Sequence, residues 1–195
     1  DPSYFSQILV TSAPMQGNYG VGDHFWESSQ IHIRGFVCLE IQNSKRESSW
    51  LNRLIHKQIP VLTEIDTRKL IFRLRDQGTV WGALVSEETK EQAIEEAKSL
   101  IRQAKNKEKD WVHLVSVKEA TQYRGQNPKG PRIALLDFGF KMNILRELQK
   151  RCREVCVFPS RSSAEDIAAW SPDGIMLSNG PGDPSDVQVA PDTVK

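Results

Sequence analysis

Two short stretches and three thiols are where this sequence places residues with the type and spacing for chemistry. The stretch Ser178–Pro184 (SNGPGDP) sets Gly180 and Gly182 between Pro181 and Pro184. Glycines so framed can offer backbone N–H groups from a stiff turn, and fixed donors suit negative charge that develops on a carbonyl oxygen. One such N–H contributes about 2.7–4 kcal/mol to stabilising an oxyanion in a dry site. Spacing alone fits a plain rigid turn equally well. In the second stretch, DFGFKMN, Asp137 ends an apolar run, Gly139 lets the chain turn, and Lys141 with Asn143 opens a helix. A helix N-terminus there can hold an anion, although ordinary strand-to-helix turn chemistry is the plainer reading.

The cysteines are less promising. Cys156 lies between Val155 and Val157 in a buried-strand pattern, Cys152 closes a helix, and Cys38 follows Phe36 and Val37. None has a glycine-framed sharp turn or a neighbouring base to lower its pKa, so none is expected to act as a nucleophile. Their odd number argues against a disulfide framework. The C-x3-C spacing of the last two lacks a second Cys/His pair, so no zinc site is expected, and the four scattered histidines read as surface or satisfied core residues. In GNYGVG, glycines 17, 20 and 22 reverse the dinucleotide-binding spacing and read as a turn. The DFG triplet has none of the glycine-rich loop, strand lysine or catalytic loop that protein kinases need.

The bulk properties exclude other classes of function. The 195 residues are 38% hydrophobic and carry 26 basic against 25 acidic side chains, enough chain for one large or two small cores. A net charge of +1 with interspersed signs leaves no stripe for phosphate backbones or anionic lipid, so nucleic acid and membrane are not expected partners. No apolar run approaches a bilayer span and no leader pattern opens the chain, which makes the cytoplasm the expected location.

The elements that must position the loop fall into two textures. Residues 6–12 and 31–41 read as strands, with Gly35 as a bulge. Ser-capped SSWLNRLIHKQ and Asp66-capped DTRKLIFRLRDQG, which stops at Gly78, read as helices, and TVWGALV (79–85) reads as a strand. EETKEQAIEEAKSLIRQAKNK reads as an amphipathic helix with Ala93, Ala97, Leu100 and Ile101 inward. Between 117 and 131 the pattern dissolves into polar, Gly- and Pro-rich sequence, the expected linker between a leading domain (1–116) and a second one (132–195). The second is β-α-β-α-β: RIALLDFG, a helix over FKMNILRELQKRC, EVCVFP, a helix opened by a Ser162–Glu165 capping box, and GIMLSNG. Continuous apolar runs alternating with helices predict an open parallel sheet covered on both faces, with ligand loops at the strands' C-terminal ends.

PDGIMLSNGPGDP (172–184) resembles the oxyanion-loop motif of class I, triad-type glutamine amidotransferases. With it, DPSYFSQILVTSAPMQGNYGV, ESSQIHIRGFV and EIDTRKLIFRLRDQG resemble the small, glutamine-hydrolysing subunit of carbamoyl-phosphate synthetase. Anthranilate and GMP synthetases share the later loop but not this leading domain. The resemblance implies an α/β fold: a mixed N-terminal small-subunit domain followed by the first part of an amidotransferase sheet. It implies that Ser3 contacts bound L-glutamine across the domain boundary, that Gly180 and Gly182 do so from the loop, and that Gly180 supplies an oxyanion N–H. Asp183 and Pro184 are expected to shape the turn, since an acid beside an oxyanion opposes its charge.

The family's nucleophilic Cys sits in a G-x-C-x-G elbow and its His and Glu partners lie farther on. All three are expected beyond Lys195, which leaves no catalytic residue here and a chain inactive alone, with an exposed sheet edge and a tendency to aggregate. The resemblance also implies a large synthetase subunit, separate or fused, that takes the ammonia and makes carbamoyl phosphate for arginine or pyrimidine synthesis. ATP and Mg²⁺ belong to that partner, and no cofactor or metal is expected on this chain. Two alternatives stand beside this one: a phosphate- or nucleotide-binding module centred on DFGFKMN, and a non-catalytic structural subunit.

Overall fold

In the computed structural model, residues 1–22, 26–42, 49–78, 80–107 and 110–183 are described. They form two compact units, one within 6–25 and 33–109 and the other within 1–5, 26–32 and 110–195.

In the first unit, β1 (Ile8–Val10), β3 (Gly35–Val37) and β5 (Val61–Leu62) make a parallel sheet in the order β1-β3-β5, and β2 (Met15–Gln16) pairs in parallel with β4 (Glu40–Ile41). The predicted 31–41 strand is therefore broken at Cys38-Leu39, its two parts serving different sheets. Gly35 makes no bulge, since it stays in register with Ile8. Its bare Cα matters for a different reason: a Cβ there would lie 2.6 Å from Leu84 Cδ1. Described residues 80–85, read as a strand from the sequence, form none. They lay Leu84 on the sheet's face, where side-chain packing replaces a ladder.

The helices follow their caps. Ser49 opens α1 (Trp50–His56) by accepting the Asn52 N–H, and Asp66 opens α2 (Thr67–Gln77), which ends at Gly78 with φ 75°. A Thr89–Gln92 capping box opens α3 (Lys90–Lys105). Ala93, Ala97, Ile101 and Ala104 make its half-buried stripe. Leu100, read as inward from the sequence, lies at the edge of that stripe and is exposed.

The second unit holds α4 (Trp111–Val115), β6 (Thr121–Arg124), β7 (Arg132–Asp137), α5 (Met142–Arg151), β8 (Glu154–Pro159), α6 (Ala164–Ala169) and β9 (Gly174–Leu177). Its sheet runs β6-β8-β7-β9, with β8, β7 and β9 parallel and β6 antiparallel at the edge. Alternation along β7 and β8 sends Leu135, Val155 and Val157 to a cluster with Leu145 of α5. Ala134, Leu136, Cys156 and Phe158 go to another cluster with Ile167 of α6. The two helices thus cover opposite faces, and apolar demand on both faces is why these strands read as continuous hydrophobic runs.

The stretch read as a linker contains β6, whose Tyr123 packs against the α5-side cluster. The α6 capping box is shifted by one residue from the sequence reading. Ser163 caps and Asp166 answers it, because Ser162 closes a turn onto the Pro159 carbonyl at 3.0 Å. Among the described residues β9 has one strand neighbour, β7, and Ile175 and Leu177 are exposed on it.

Candidate functional site

The chain leaves β7 for β8 on one side and later returns to β9 on β7's other side, so the loops after β7 and β9 meet at a topological switch point. Open α/β sheets bind ligands there. The two loops are stitched together by one hydroxyl and one amide. Ser178 Oγ accepts the Phe138 N–H at 2.8 Å and donates to the Asn179 carbonyl at 2.8 Å. Asn179 Nδ2 donates to the Gly139 carbonyl at 3.3 Å.

This stitching brings backbone against backbone, which is what makes glycine obligatory at 180. A Cβ there would lie 2.4 Å from the Phe138 carbonyl oxygen. Gly182 has φ 82° and rests against the Trp111 ring, while Gly139, at φ 120°, is hemmed by Val115, Pro181 and Pro2. Among the described residues neither the Gly180 nor the Gly182 N–H has an acceptor. Buried Pro181 stiffens the link between them. Two fixed donors left unspent in this way can serve a carbonyl oxygen that gains charge.

Ser3 lies at the same loops. Pro2–Tyr4 forms a single 3₁₀ turn in which the Asp1 carboxylate accepts the Ser3 N–H at 3.0 Å and pairs with Lys141 at 3.3 Å. The Ser3 hydroxyl oxygen accepts a hydrogen bond from Asn179 Nδ2. Ser3 therefore sits beside the residue preceding Gly180, and residues 1–5 belong to the compact unit that carries the loop. Gly182 is held from another direction, by α4. That helix is anchored in turn by an Arg161–Asp110 ion pair and by Ser116 Oγ, which accepts the Ser160 N–H at 2.9 Å.

The DFGFKMN turn offers no comparable set of unspent donors. Asp137 accepts the N–H groups of Gly139 at 2.8 Å and Phe140 at 3.0 Å. Glu27 takes the Met142 N–H on its carbonyl at 3.0 Å and the Asn143 N–H on its carboxylate at 2.7 Å. Arg146 holds Glu27 in place, with its Nη1 3.5 Å from the Glu27 carboxylate and its Nη2 donating to the Trp26 carbonyl at 2.8 Å. The anion favoured at this helix N-terminus is thus a carboxylate of the protein itself. Sequence reading missed Glu27, Trp111 and Asn179 as parts of the site's frame. Only Asn179 carried a local signal, its place inside the glycine-proline motif.

Cys38, Cys152 and Cys156 are buried free thiols, and burial raises the pKa of each. Such groups are poor nucleophiles. We expect none of the three to react with Ellman's reagent in the native protein within minutes and all three to react in urea, as read by absorbance at equal protein concentration. Among the described residues no cluster of three His, Cys, Asp or Glu could hold a metal, and no helix is long and apolar enough to cross a membrane.

A parallel sheet with a Gly-Pro-Gly loop at its switch point defines a class of protein, and residues 134–195 match the family described as glutamine amidotransferase class-I. Residues 1–84 match the one described as carbamoyl-phosphate synthase small chain, CPSase domain. Together the two matches take in both ends of the chain, and the curated relatives below are similar to it over its whole length. It is 40% identical over 199 residues to the carbamoyl phosphate synthase small chain of Bacillus caldolyticus, covering 100% of this chain and 53% of that one. It is also 40% identical to the small chain of Listeria monocytogenes serovar 1/2a over 202 residues (100% and 53%) and to that of Bacillus anthracis over 200 residues (100% and 52%). The chain spans about half the length of these curated relatives.

Proposed function

We propose that this sequence supplies the glutamine-binding segment and oxyanion loop of a glutamine-hydrolysing subunit that delivers ammonia to carbamoyl-phosphate synthesis. The observation that carries this reading is the convergence of Ser3 and the SNGPG loop at the sheet's switch point, beside two N–H groups without acceptors among the described residues. In this reading Ser3 and Gly182 hold the amino acid. The Gly180 N–H meets the amide oxygen as a thiolate adds to the carbonyl carbon, and ammonia leaves after protonation. The three buried thiols of this sequence are not the attacking sulfur, which another part of the small chain contributes. No cofactor is held here. ATP and Mg²⁺ serve a large synthetase subunit or fused domain, in the cytoplasm, where ammonia, bicarbonate and ATP become carbamoyl phosphate.

The test is ammonia release from L-glutamine by the full-length protein carrying this sequence. Alanine at Cys38, Cys152 or Cys156, introduced singly, is expected to leave kcat within about threefold of the parent, while iodoacetamide abolishes activity. Activity that vanishes with any one of these three thiols in a protein that still melts cooperatively would sink the reading.

A further inference from the structure

Asn179 has no part in the chemistry above, yet its side chain joins the pieces that the chemistry needs. Its Nδ2 donates both to the Ser3 hydroxyl oxygen and to the Gly139 carbonyl, and its own carbonyl is held by Ser178 Oγ. The next N–H along the chain is that of Gly180. Asn179 Oδ1, by contrast, is buried and has no hydrogen-bond partner among the described residues. Buried amide oxygens are nearly always paired. An asparagine kept with its oxygen unpaired and both directed N–H contacts made at the loop is explained by what those two contacts hold.

We propose that Asn179 is a positioning residue for glutamine hydrolysis, one that couples Ser3 to the Gly180 amide. The proposal rests on the glutaminase reading above. One carboxamide fixes the distance between the group that touches the amino acid and the donor that meets the oxyanion. Displacing either partner therefore disturbs the other. Aspartate has nearly the same shape, but when ionised it accepts only. It would lose the contact to the Gly139 carbonyl, could keep Ser3 only by reversing that hydrogen bond so that the hydroxyl donates, and would set a negative charge beside a developing oxyanion.

A double-mutant cycle in the full-length protein tests this, with glutamine hydrolysis as the readout and a thermal melt of every variant. Ser3→Ala and Asn179→Ala are each expected to raise KM about tenfold, and the pair together to raise it no more than about twentyfold instead of a hundredfold. Asn179→Asp is expected to lower kcat about a hundredfold, more than Asn179→Ala does, at a similar melting temperature. Should Asn179→Ala fail to fold, the cycle is run with Asn179→Asp against Ser3→Ala and non-additivity again decides. KM effects that simply multiply, or a melting shift with no change in kinetics, overturn the positioning role. A parent protein that releases no ammonia overturns the glutaminase reading instead.

Discussion

Gly180→Ala is expected to lower kcat for glutamine hydrolysis by about 10²–10³-fold in the full-length protein, with a far smaller effect on KM. The reason is local and steric. The added methyl would stand 2.4 Å from the Phe138 carbonyl oxygen and 3.0 Å from Phe138 Cβ. That oxygen belongs to backbone, fixed on one side by β7 and on the other by the Asp137 turn, so the loop moves instead of the obstacle. Moving the loop carries the Gly180 N–H away from the point where charge develops. Gly182→Ala provides the contrast. Its methyl meets only the Trp111 ring, at 3.4 Å, and its cost arises from an L residue at φ 82°, about 1–2 kcal/mol. A misplaced oxyanion donor affects the transition state more than the bound substrate, so the two variants should separate in kcat. A Gly180→Ala enzyme within threefold of the parent kcat would remove Gly180 from the mechanism.

That contrast also shows what a linear sequence can reveal. Gly180 and Gly182 stand out because glycine and proline constrain the backbone in the place where they occur. The parallel sheet stands out because strands buried on both faces have no polar alternation. Thr121–Arg124 does not, since it is an edge strand with only Tyr123 half-buried, and its polar residues resemble loop composition. Residues 79–85 have the opposite defect: β-branched and aromatic residues suggest a strand, but in 80–85 Val80 and Trp81 are exposed and it is Leu84 that meets the sheet, at Gly35. The frame of the site was hidden for a third reason, distance along the chain. Glu27 caps α5 from 116 residues away and Ser3 meets Asn179 across 176. No periodicity or local motif encodes such a pairing; only the fold brings it about.

The largest stability effect is expected at Asp137, whose carboxylate is buried at 3% exposure beneath both loops. It accepts three backbone N–H groups: Val117 at 2.7 Å on one oxygen, and Gly139 at 2.8 Å and Phe140 at 3.0 Å on the other. Alanine would strand all three donors where water has little access. Hydrogen bonds to a charged acceptor contribute about 1.5–3 kcal/mol each, and they weaken one another's count when they share one group. Asp137→Ala is therefore expected to lower the unfolding free energy by about 3–5 kcal/mol. Asparagine separates shape from charge. Its Oδ1 can still serve Gly139 and Phe140, but its NH₂ must face the Val117 N–H, donor against donor, so about 2 kcal/mol should be lost. Urea unfolding of the full-length variants measures both, provided the m-value is unchanged. Because Gly180 packs on the 137–139 turn, kcat should fall in the same order, alanine below asparagine below aspartate. An alanine variant that loses less than about 1 kcal/mol would mean that these three amides find other acceptors, and that the carboxylate does not set the turn on which the oxyanion loop rests.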